Sequence, residues 1–319
     1  MRNWLTDTFD LSVPLVGAPM ANAGSGRLAA AVSAAGALGM FGVGNAAAPD
    51  WVREQCRVAA GSRRAYGVGL MAWALEQDRS ALEAVIGLDP DEQPSLVSVS
   101  FGDFARFLGP LRDHGILTAT QVGNLDEARR AAAAGVDLIV ARGAEGGGHG
   151  RNEVGTLPLL EMVLAEVDRP VVAAGGISGA RGLAAVLAAG ALGAWVGTAF
   201  LACTEADTSD AARARLFVGT ETSYGRVFDV AQRLGWPEEY GGRALRNEYF
   251  DRWADRIEEL AEDDAAAAEL AAAKSSGDFD TAYIYAGQGA ALLREQHSAA
   301  DVVAEFGRAE DLLRSAVSD

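Results

Sequence analysis

Short apolar runs recur along the first two hundred residues, each ending in small or polar residues before an amphipathic stretch rich in Ala, Arg and Glu. Continuous apolarity is typical of strands that are covered on both faces, and the intervening segments are long enough for crossover helices. Eight runs predict parallel strands, namely Leu15–Pro19, Ala37–Phe41, Tyr66–Met71, Leu96–Ser100, Ile116–Thr120, Leu138–Ala141, Val171–Ala174 and Ala194–Val196.

Eight strand–helix units in about 200 residues match a (β/α)8 barrel, the TIM barrel, in number and in size. A doubly wound sheet is the alternative, but no Gly-x-Gly-x-x-Gly opens the first helix to support it. We therefore predict an α/β protein whose barrel spans residues 1–210.

The rhythm changes after Glu205, where longer helical patterns richer in charge and aromatic residues begin. We expect helices over Ala211–Phe217, Val227–Leu234 and Leu245–Leu260, and a last amphipathic helix over Ala299–Ala316. These patterns predict a small helical lid subdomain, 211–279, near the barrel mouth, and helices in 280–319 that complete the barrel. A disordered tail is the alternative, but the tryptophan, tyrosine and leucines of this region offer apolar area to bury.

Charge and composition argue against several classes of binding partner and of chemistry. Acidic residues outnumber basic ones 44 to 27, and the net charge of −17 opposes binding to nucleic acid and to anionic membranes. We expect no membrane span, because no segment approaches the ~20 apolar residues that a span needs. Two cysteines, Cys56 and Cys203, make no disulfide framework, so a cytoplasmic location is predicted. Lys274 is the only lysine, and it lies in a polar stretch, which disfavours Schiff-base chemistry.

Glycine is in excess, with 38 residues in 319, and it gathers where the predicted strands end. The seventh strand is followed by Ala174–Gly179 and the eighth by Gly197–Phe200. Glycine lets a phosphate approach backbone N–H groups, and these two loops are the usual phosphate locus of such barrels. Two ordinary tight turns are the alternative, but their position favours a phosphate site.

A second glycine tract, Arg142–Arg151, follows the sixth strand and contains His149. A tract this dense forms neither helix nor strand comfortably and suits backbone that lies against a flat ligand. Histidine accepts a proton near neutral pH, so His149 is the candidate base at the barrel mouth. His114 precedes a strand on the opposite face and His297 lies near the terminus, and with three histidines and no clustered carboxylates we expect no metal.

Small residues follow the first strand, and Met71 and Trp73 follow the third as candidates either for a pocket wall or for the core. Four segments then carry a resemblance. Pro19-Met20 with its small neighbours, Glu145-Gly-Gly-Gly-His149, Ala173-Ala-Gly-Gly-Ile177 and Gly197-Thr-Ala-Phe-Leu201 together resemble the nitronate monooxygenases, formerly called 2-nitropropane dioxygenases. The resemblance runs from about Val13 to the end of the chain and includes Gly225–Phe228 and Tyr285–Gly289.

The resemblance implies a TIM barrel with a helical lid and non-covalently bound FMN. By the same resemblance His149 is the catalytic histidine, Ala18, Pro19 and Met20 face the isoalloxazine, and the phosphate is held by Gly175, Gly176, Gly197 and Thr198. Gln121, Arg142 and Gly147 match further flavin-contact positions.

The chain departs from the family pattern at three positions. Gly69 stands where many relatives carry asparagine, Gln121 where lysine is frequent, and Arg142 where glutamine is usual. Reduced flavin carries negative charge near N1 and C2=O, which a cation or backbone N–H groups must balance. Arg142 is therefore one candidate for that role, and backbone amides are the other.

Three functions are open at this stage. The first is FMN-dependent oxidation of alkyl nitronates by O2 to a carbonyl compound and nitrite, with a homodimer as a further expectation. The second is an FMN-dependent NAD(P)H reductase of quinones or of an enoyl thioester. The third is a barrel that binds a phosphorylated ligand without redox chemistry.

Overall fold

The computed structural model describes residues 1–316, and its centre is a barrel of eight parallel strands. The barrel strands are β1 (Leu15–Gly17), β2 (Gly39–Gly42), β3 (Tyr66–Met71), β4 (Leu96–Ser100), β5 (Leu117–Val122), β6 (Leu138–Arg142), β8 (Val171–Ala174) and β9 (Ala194–Val196). Every predicted strand is present. The sheet runs β1-β9-β8-β6-β5-β4-β3-β2, and a parallel bridge between Val16 and Leu38 joins its two ends. The predicted TIM barrel is confirmed.

Helices surround this barrel and extend beyond it. They are α1 (Trp4–Phe9), α2 (Gly26–Ala34), α3 (Pro49–Ala60), α4 (Ala72–Gln77), α5 (Ser80–Ile86), α6 (Leu108–Asp113), α7 (Leu125–Ala133), α8 (Thr156–Glu166), α9 (Ala180–Ala188), α10 (Asp210–Val218), α11 (Val227–Ala231), α12 (Glu248–Trp253), α13 (Ile257–Glu262), α14 (Asp264–Ser276), α15 (Ala299–Gly307) and α16 (Ala309–Ala316). Short 3-10 turns lie at Ala105–Phe107, Thr198–Phe200 and Gln288–Leu292. No helix within 1–316 is long and apolar enough to cross a bilayer.

The eighth helix of the barrel comes from the carboxyl-terminal part of the chain. Helix α15 packs against both α2 and α9. Its Val303 and Phe306 are buried in the apolar layer between the barrel strands and the surrounding helices. The chain therefore leaves the barrel after β9 and returns at α15. The predicted last helix is two helices, α15 and α16, and residues 317–319 of the predicted terminal segment lie outside the described residues.

The excursion between β9 and α15 is not all helical, and there the prediction was wrong. Strands β10 (Thr222–Gly225) and β11 (Gly242–Leu245) pair antiparallel, and β11 also pairs with the two-residue strand β7 (Gly148–His149). Leu245, expected to begin a helix, ends β11. Helices α11 to α14 pack around an apolar cluster of their own that includes Phe228, Tyr249 and Leu270. The boundaries of the predicted lid subdomain stay a prediction.

The barrel interior is filled by side chains and is covered at its amino-terminal end by α1. An interior cluster is formed by inward-facing strand residues together with Leu5 and Phe9 of α1. The Asn3 side chain caps α1 and donates to the carbonyl of Leu192, just ahead of β9, at 2.8 Å. Helix α1 thus covers the end of the barrel that is remote from the loops rich in glycine.

Replacing Leu5 by alanine is expected to lower the free energy of unfolding by about 2–5 kcal/mol, because Leu5 is fully buried and its removal leaves a cavity. Urea denaturation measures the change. The matched control is Leu292→Ala, since Leu292 is 70% exposed and its loss should change stability by no more than ~0.5 kcal/mol. Equal stability of the two variants would show that α1 does not close the barrel as described.

Candidate active site at the barrel mouth

Three predicted flavin-contact residues face the inside of the barrel at the carboxyl ends of its strands. Ala18, Gln121 and Arg142 each lie two residues beyond a strand residue of the interior cluster, so they point the same way. Gln121 is half-buried, and its side-chain amide makes no hydrogen bond to any of the described residues. The upper layer of the barrel is therefore small or polar where the lower layers are apolar.

The loop after β8 has the backbone shape of an anion site. Gly175 and Gly176 have φ of +112° and +68°, values that favour glycine. Helix α9 follows at once, and its N-cap is Gly179, which has no side chain to cap the first turn. The amide groups of that turn and the positive end of the helix dipole are thus left for a ligand. This donor set fits a phosphate.

The loop after β9 lies beside the same place. Thr198 Oγ1 accepts the backbone N–H of Gly287 at 2.9 Å, which leaves its hydroxyl hydrogen to donate to a ligand. A Cβ on Gly147 would lie 2.4 Å from the Gly287 nitrogen, so the loop after β6 also touches the Gly287 loop. Gly147, Thr198 and Gly287 therefore bring the loops after β6 and β9 and the segment 285–289 together.

Ala18, Pro19 and Met20 form one wall of the barrel mouth. A Cβ on Gly197 would lie 3.3 Å from Met20 Sδ and 3.5 Å from Ala18 Cβ. Pro19 reaches across to β3, where a Cβ on Gly69 would lie 2.4 Å from Pro19 Cβ. A side chain at position 69 would therefore require the Pro19 ring to shift.

Arg142 is a buried cation that holds the glycine tract by its carbonyl groups. Its guanidinium donates to the carbonyls of Gly146, Gly147 and Gly148 at 2.6, 3.3 and 3.1 Å and to that of Arg151 at 2.9 Å. Within residues 1–316 no carboxylate lies within 4 Å of it, and burial lowers the pKa of Arg142 to about 10, so it stays charged at neutral pH. The arginine fixes the loop that carries His149, and its contact with a flavin stays a prediction.

A second buried guanidinium, Arg243 on β11, was not found from the sequence. It donates to the Ala144 carbonyl at 2.9 Å, to Asn152 Oδ1 at 2.7 Å and to Thr222 Oγ1 at 3.1 Å. Burial lowers the pKa of Arg243 from its usual value, and the neighbouring charge of Arg243 also lowers the pKa of Arg142. Among residues 1–316 neither guanidinium forms a direct ion pair, and the Glu145 carboxylate offsets part of the two charges from a longer distance.

His149 is held by a strand and by an acid. The expectation that the tract forms no strand was wrong at Gly148–His149, since β7 pairs with β11 through Gly242 opposite His149. The ring Nε2 lies 2.8 Å from Asp229 Oδ1, and the two side chains are 9% and 1% exposed. Tyr285 donates its hydroxyl to the same Oδ1 at 3.2 Å, and burial beside Asp229 raises the pKa of Tyr285 well above its usual value.

Aromatic rings enclose the histidine. The Trp236 ring is parallel to that of His149, with centroids 3.6 Å apart, and Tyr285 lies 5.0 Å away. Trp73 and Phe101 meet Trp236 at 5.3 and 5.2 Å, so Trp73 belongs to the wall of the site as well as to the core. Its Nε1 is buried and has no partner in the described part of the chain. The mouth is therefore an apolar, aromatic enclosure around one histidine.

Asp229, Trp236 and Arg243 are the residues that the sequence prediction missed. Asp229 had a usable signal, because it is an acidic residue inside the apolar segment Val227–Ala231. No local pattern in the sequence marks Trp236 or Arg243 as part of the site. The other two histidines, His114 and His297, are exposed and lie away from the site, as expected.

Comparison with known proteins gives a consistent result. The family model described as nitronate monooxygenase matches residues 68–308. A curated nitronate monooxygenase of Paraburkholderia phytofirmans is 33% identical, over 92% of this chain and 91% of that one. Among solved structures, nitroalkane oxidase from Streptomyces ansochromogenes is 30% identical with a TM-score of 0.82, covering 98% of this chain and 99% of that one. FabK from Thermotoga maritima is 29% identical with a TM-score of 0.81, covering 99% and 100%.

Proposed function

The chain belongs to the nitronate monooxygenase family, and we propose that it binds FMN at the barrel mouth and uses O2 to oxidise alkyl nitronates to a carbonyl compound and nitrite. Members of this family are flavin-dependent oxidoreductases that act on small molecules. The observation that carries the proposal is the meeting of a phosphate-type loop, a small-residue wall and an enclosed histidine at one end of the barrel.

The residues present fit the flavin. Gly175, Gly176, Gly197 and Thr198 would hold the phosphate with the first turn of α9, since those amides and the Thr198 hydroxyl are donors. Ala18, Pro19 and Met20 would lie against the ring, with Gln121, Arg142 and Gly147 as the further contacts that the family resemblance implies. When bound, the flavin supplies an electron acceptor for the substrate and a route for electrons to O2.

The two buried guanidinium groups support an anionic substrate. A nitronate is an anion, and the net charge of −17 repels it at long range. Arg142 and Arg243 have no carboxylate partner within 4 Å among residues 1–316, and the Glu145 carboxylate offsets part of their charge only from a longer distance. Local positive potential inside an apolar enclosure then holds the nitro group, because charges interact more strongly away from water.

His149 orients the anion or removes a proton from a neutral nitroalkane. In the second case the Cα–H bond breaks, the proton passes to a ring nitrogen and the electron pair stays as the nitronate. The oxidation balances when two nitronates and one O2 give two carbonyl compounds and two nitrite ions. The histidine thus handles the proton, which is the part of the reaction that this chain's own side chains carry out.

Two experiments test this function. The purified protein should show the absorbance bands of a flavin, which denaturation releases as FMN, and it should release nitrite from propyl-2-nitronate with uptake of O2. Absence of flavin bands would favour the non-redox, phosphate-binding alternative. Flavin that NADH bleaches quickly without nitronate, together with no nitrite release, would favour the NAD(P)H-dependent reductase. The homodimer and the cytoplasmic location stay predictions.

A further inference from the structure

We infer that Asp229 is the positioning residue for His149: it fixes the imidazole as the Nε2–H tautomer and leaves Nδ1 as the nitrogen that meets the substrate. The contact is a 2.8 Å hydrogen bond between His149 Nε2 and Asp229 Oδ1. The role of Nδ1 toward a substrate rests on the proposed function. The tautomer of His149 is a property of the protein alone.

The chemistry of the pair determines which ring nitrogen is protonated. An ionised carboxylate only accepts hydrogen bonds, so the nitrogen facing Asp229 carries the hydrogen. Neutral imidazole has one N–H, and the other nitrogen keeps its lone pair. Nδ1 of His149 makes no hydrogen bond to the residues that the structure describes. It is therefore the atom that can accept a proton.

Asp229 is committed to this task by its surroundings. It lies on α11 between Phe228 and Val230, is 1% exposed, and has no arginine or lysine within 4 Å in the described chain. Its Oδ1 accepts from His149 and Tyr285, while Oδ2 is buried and has no hydrogen-bond partner among residues 1–316. Burying a carboxylate without a cation partner costs free energy, so the position of Asp229 indicates a functional role. The imidazolium that forms when His149 accepts a proton would be a cation in direct contact with Asp229.

The ring is also prevented from turning. Trp236 covers one face of the imidazole in a parallel stack, and Tyr285 lies against it at 56°. The backbone of His149 is fixed by β11. A half-turn of the ring about the Cβ–Cγ bond would put Cε1 where Nε2 now meets Asp229 and would break that hydrogen bond, so the hydrogen bond selects one ring orientation. Asp229 acts through His149 and is not itself in contact with the reacting atoms.

Nitrogen-15 NMR of the flavin-loaded protein labelled at histidine tests the tautomer directly. The chain has three histidines, and substitution of His114 and His297 assigns the remaining signals to His149. We expect a protonated Nε2 and an unprotonated Nδ1 in the natural chain. In Asp229→Asn the side-chain amide can donate to Nε2, which moves the hydrogen to Nδ1. A natural chain with its hydrogen on Nδ1 would overturn the inference, and that result does not depend on whether Asp229→Asn folds.

Kinetics supply the second readout. Asp229→Asn is expected to lower kcat for a neutral nitroalkane by about 10²–10⁴-fold with a smaller change in KM, and to lower turnover of the preformed nitronate less. If Asp229 had a purely structural role, Asp229→Asn would lower the turnover of both substrates equally and would leave the tautomer of His149 unchanged. The matched control is Glu295→Gln, which alters the exposed acid 3.7 Å from His297 and should change neither tautomer nor rate. If the natural chain releases no nitrite, the proposed function fails, but the tautomer result still decides the role of Asp229.

Discussion

Replacing His149 by alanine is expected to lower kcat/KM for a neutral nitroalkane by about 10²–10⁴-fold, because the change removes the side chain that takes the Cα proton. Among the described residues the nearest acid, Asp229, is 1% exposed behind the histidine, and Tyr285 is kept neutral by its raised pKa. For a preformed nitronate the loss should be about tenfold, the value of one charge-assisted hydrogen bond of ~1.5 kcal/mol. Nitrite release from both forms of one nitroalkane measures the two effects.

The controls separate catalysis from folding. His114→Ala and His297→Ala remove the exposed histidines and should leave both rates unchanged. The flavin content of His149→Ala should also be unchanged, since the phosphate loops do not contain the residue. Undiminished turnover of both the neutral and the anionic form would remove His149 from the reaction. An equal loss of turnover on the neutral and the anionic form would leave His149 only the role of binding the anion.

The barrel was predictable because its signal is local. Each buried parallel strand, such as Val171–Ala174, is a continuous apolar run that breaks at glycine or a polar residue, and the pattern repeats eight times. Strands β10 and β11 carry no such signal. Thr222–Gly225 and Gly242–Leu245 are four residues each, polar or small, and they form strands because they pair with each other and with Gly148–His149. Pairing between distant segments overrides weak local preference.

The predictable part of the candidate site is the part that the order of the strands and the glycine-rich loops after them mark in the sequence. Gly175 and Gly176 directly follow an apolar strand run, which marks them as loop residues in the sequence. Both have positive φ in the structure. Asp229 is 80 residues from His149, and no local pattern could pair them. Arg142 shows a further limit: the sequence marks a cation at the mouth, but only the structure reveals that the loop carbonyls already occupy its donors.

Local charge explains how an acidic protein could serve an anionic substrate. The acidic excess lies mainly on exposed side chains, many of them paired with arginines, as in Arg252–Glu269 and Arg246–Asp251. Water and salt screen these surface charges over about 10 Å. Arg142 and Arg243 are buried and less screened, so they act on an anion at the mouth more strongly than the surface acids do, alongside the buried acid Asp229. We therefore expect the net charge to influence the association rate and the two arginines to influence binding in the site.

Gly175→Ala is expected to weaken FMN binding by about 10- to 100-fold. At φ +112° an alanine is strained by about 1–3 kcal/mol, and its Cβ would lie 2.6 Å from Thr156 Oγ1 and 3.2 Å from the Gly146 nitrogen. The loop must move to relieve both, and loss of one charge-assisted hydrogen bond to the phosphate accounts for about 1.5–3 kcal/mol of affinity. Flavin fluorescence titration of the stripped protein measures the change.

The strain must be separated from the phosphate contact, and the chain offers a matched glycine for this purpose. Gly190 has φ +102° in the turn between α9 and β9, and a Cβ there would meet Leu164 Cδ1 at 3.2 Å, away from the barrel mouth. Gly190→Ala should therefore lower stability through the same backbone strain while FMN affinity stays within about twofold of the natural value. Equal loss of FMN in the two variants would mean that the glycines act through stability alone. Retention of FMN by Gly175→Ala would place the phosphate elsewhere, because the loop after β8 cannot accept a side chain at that position without moving its amides.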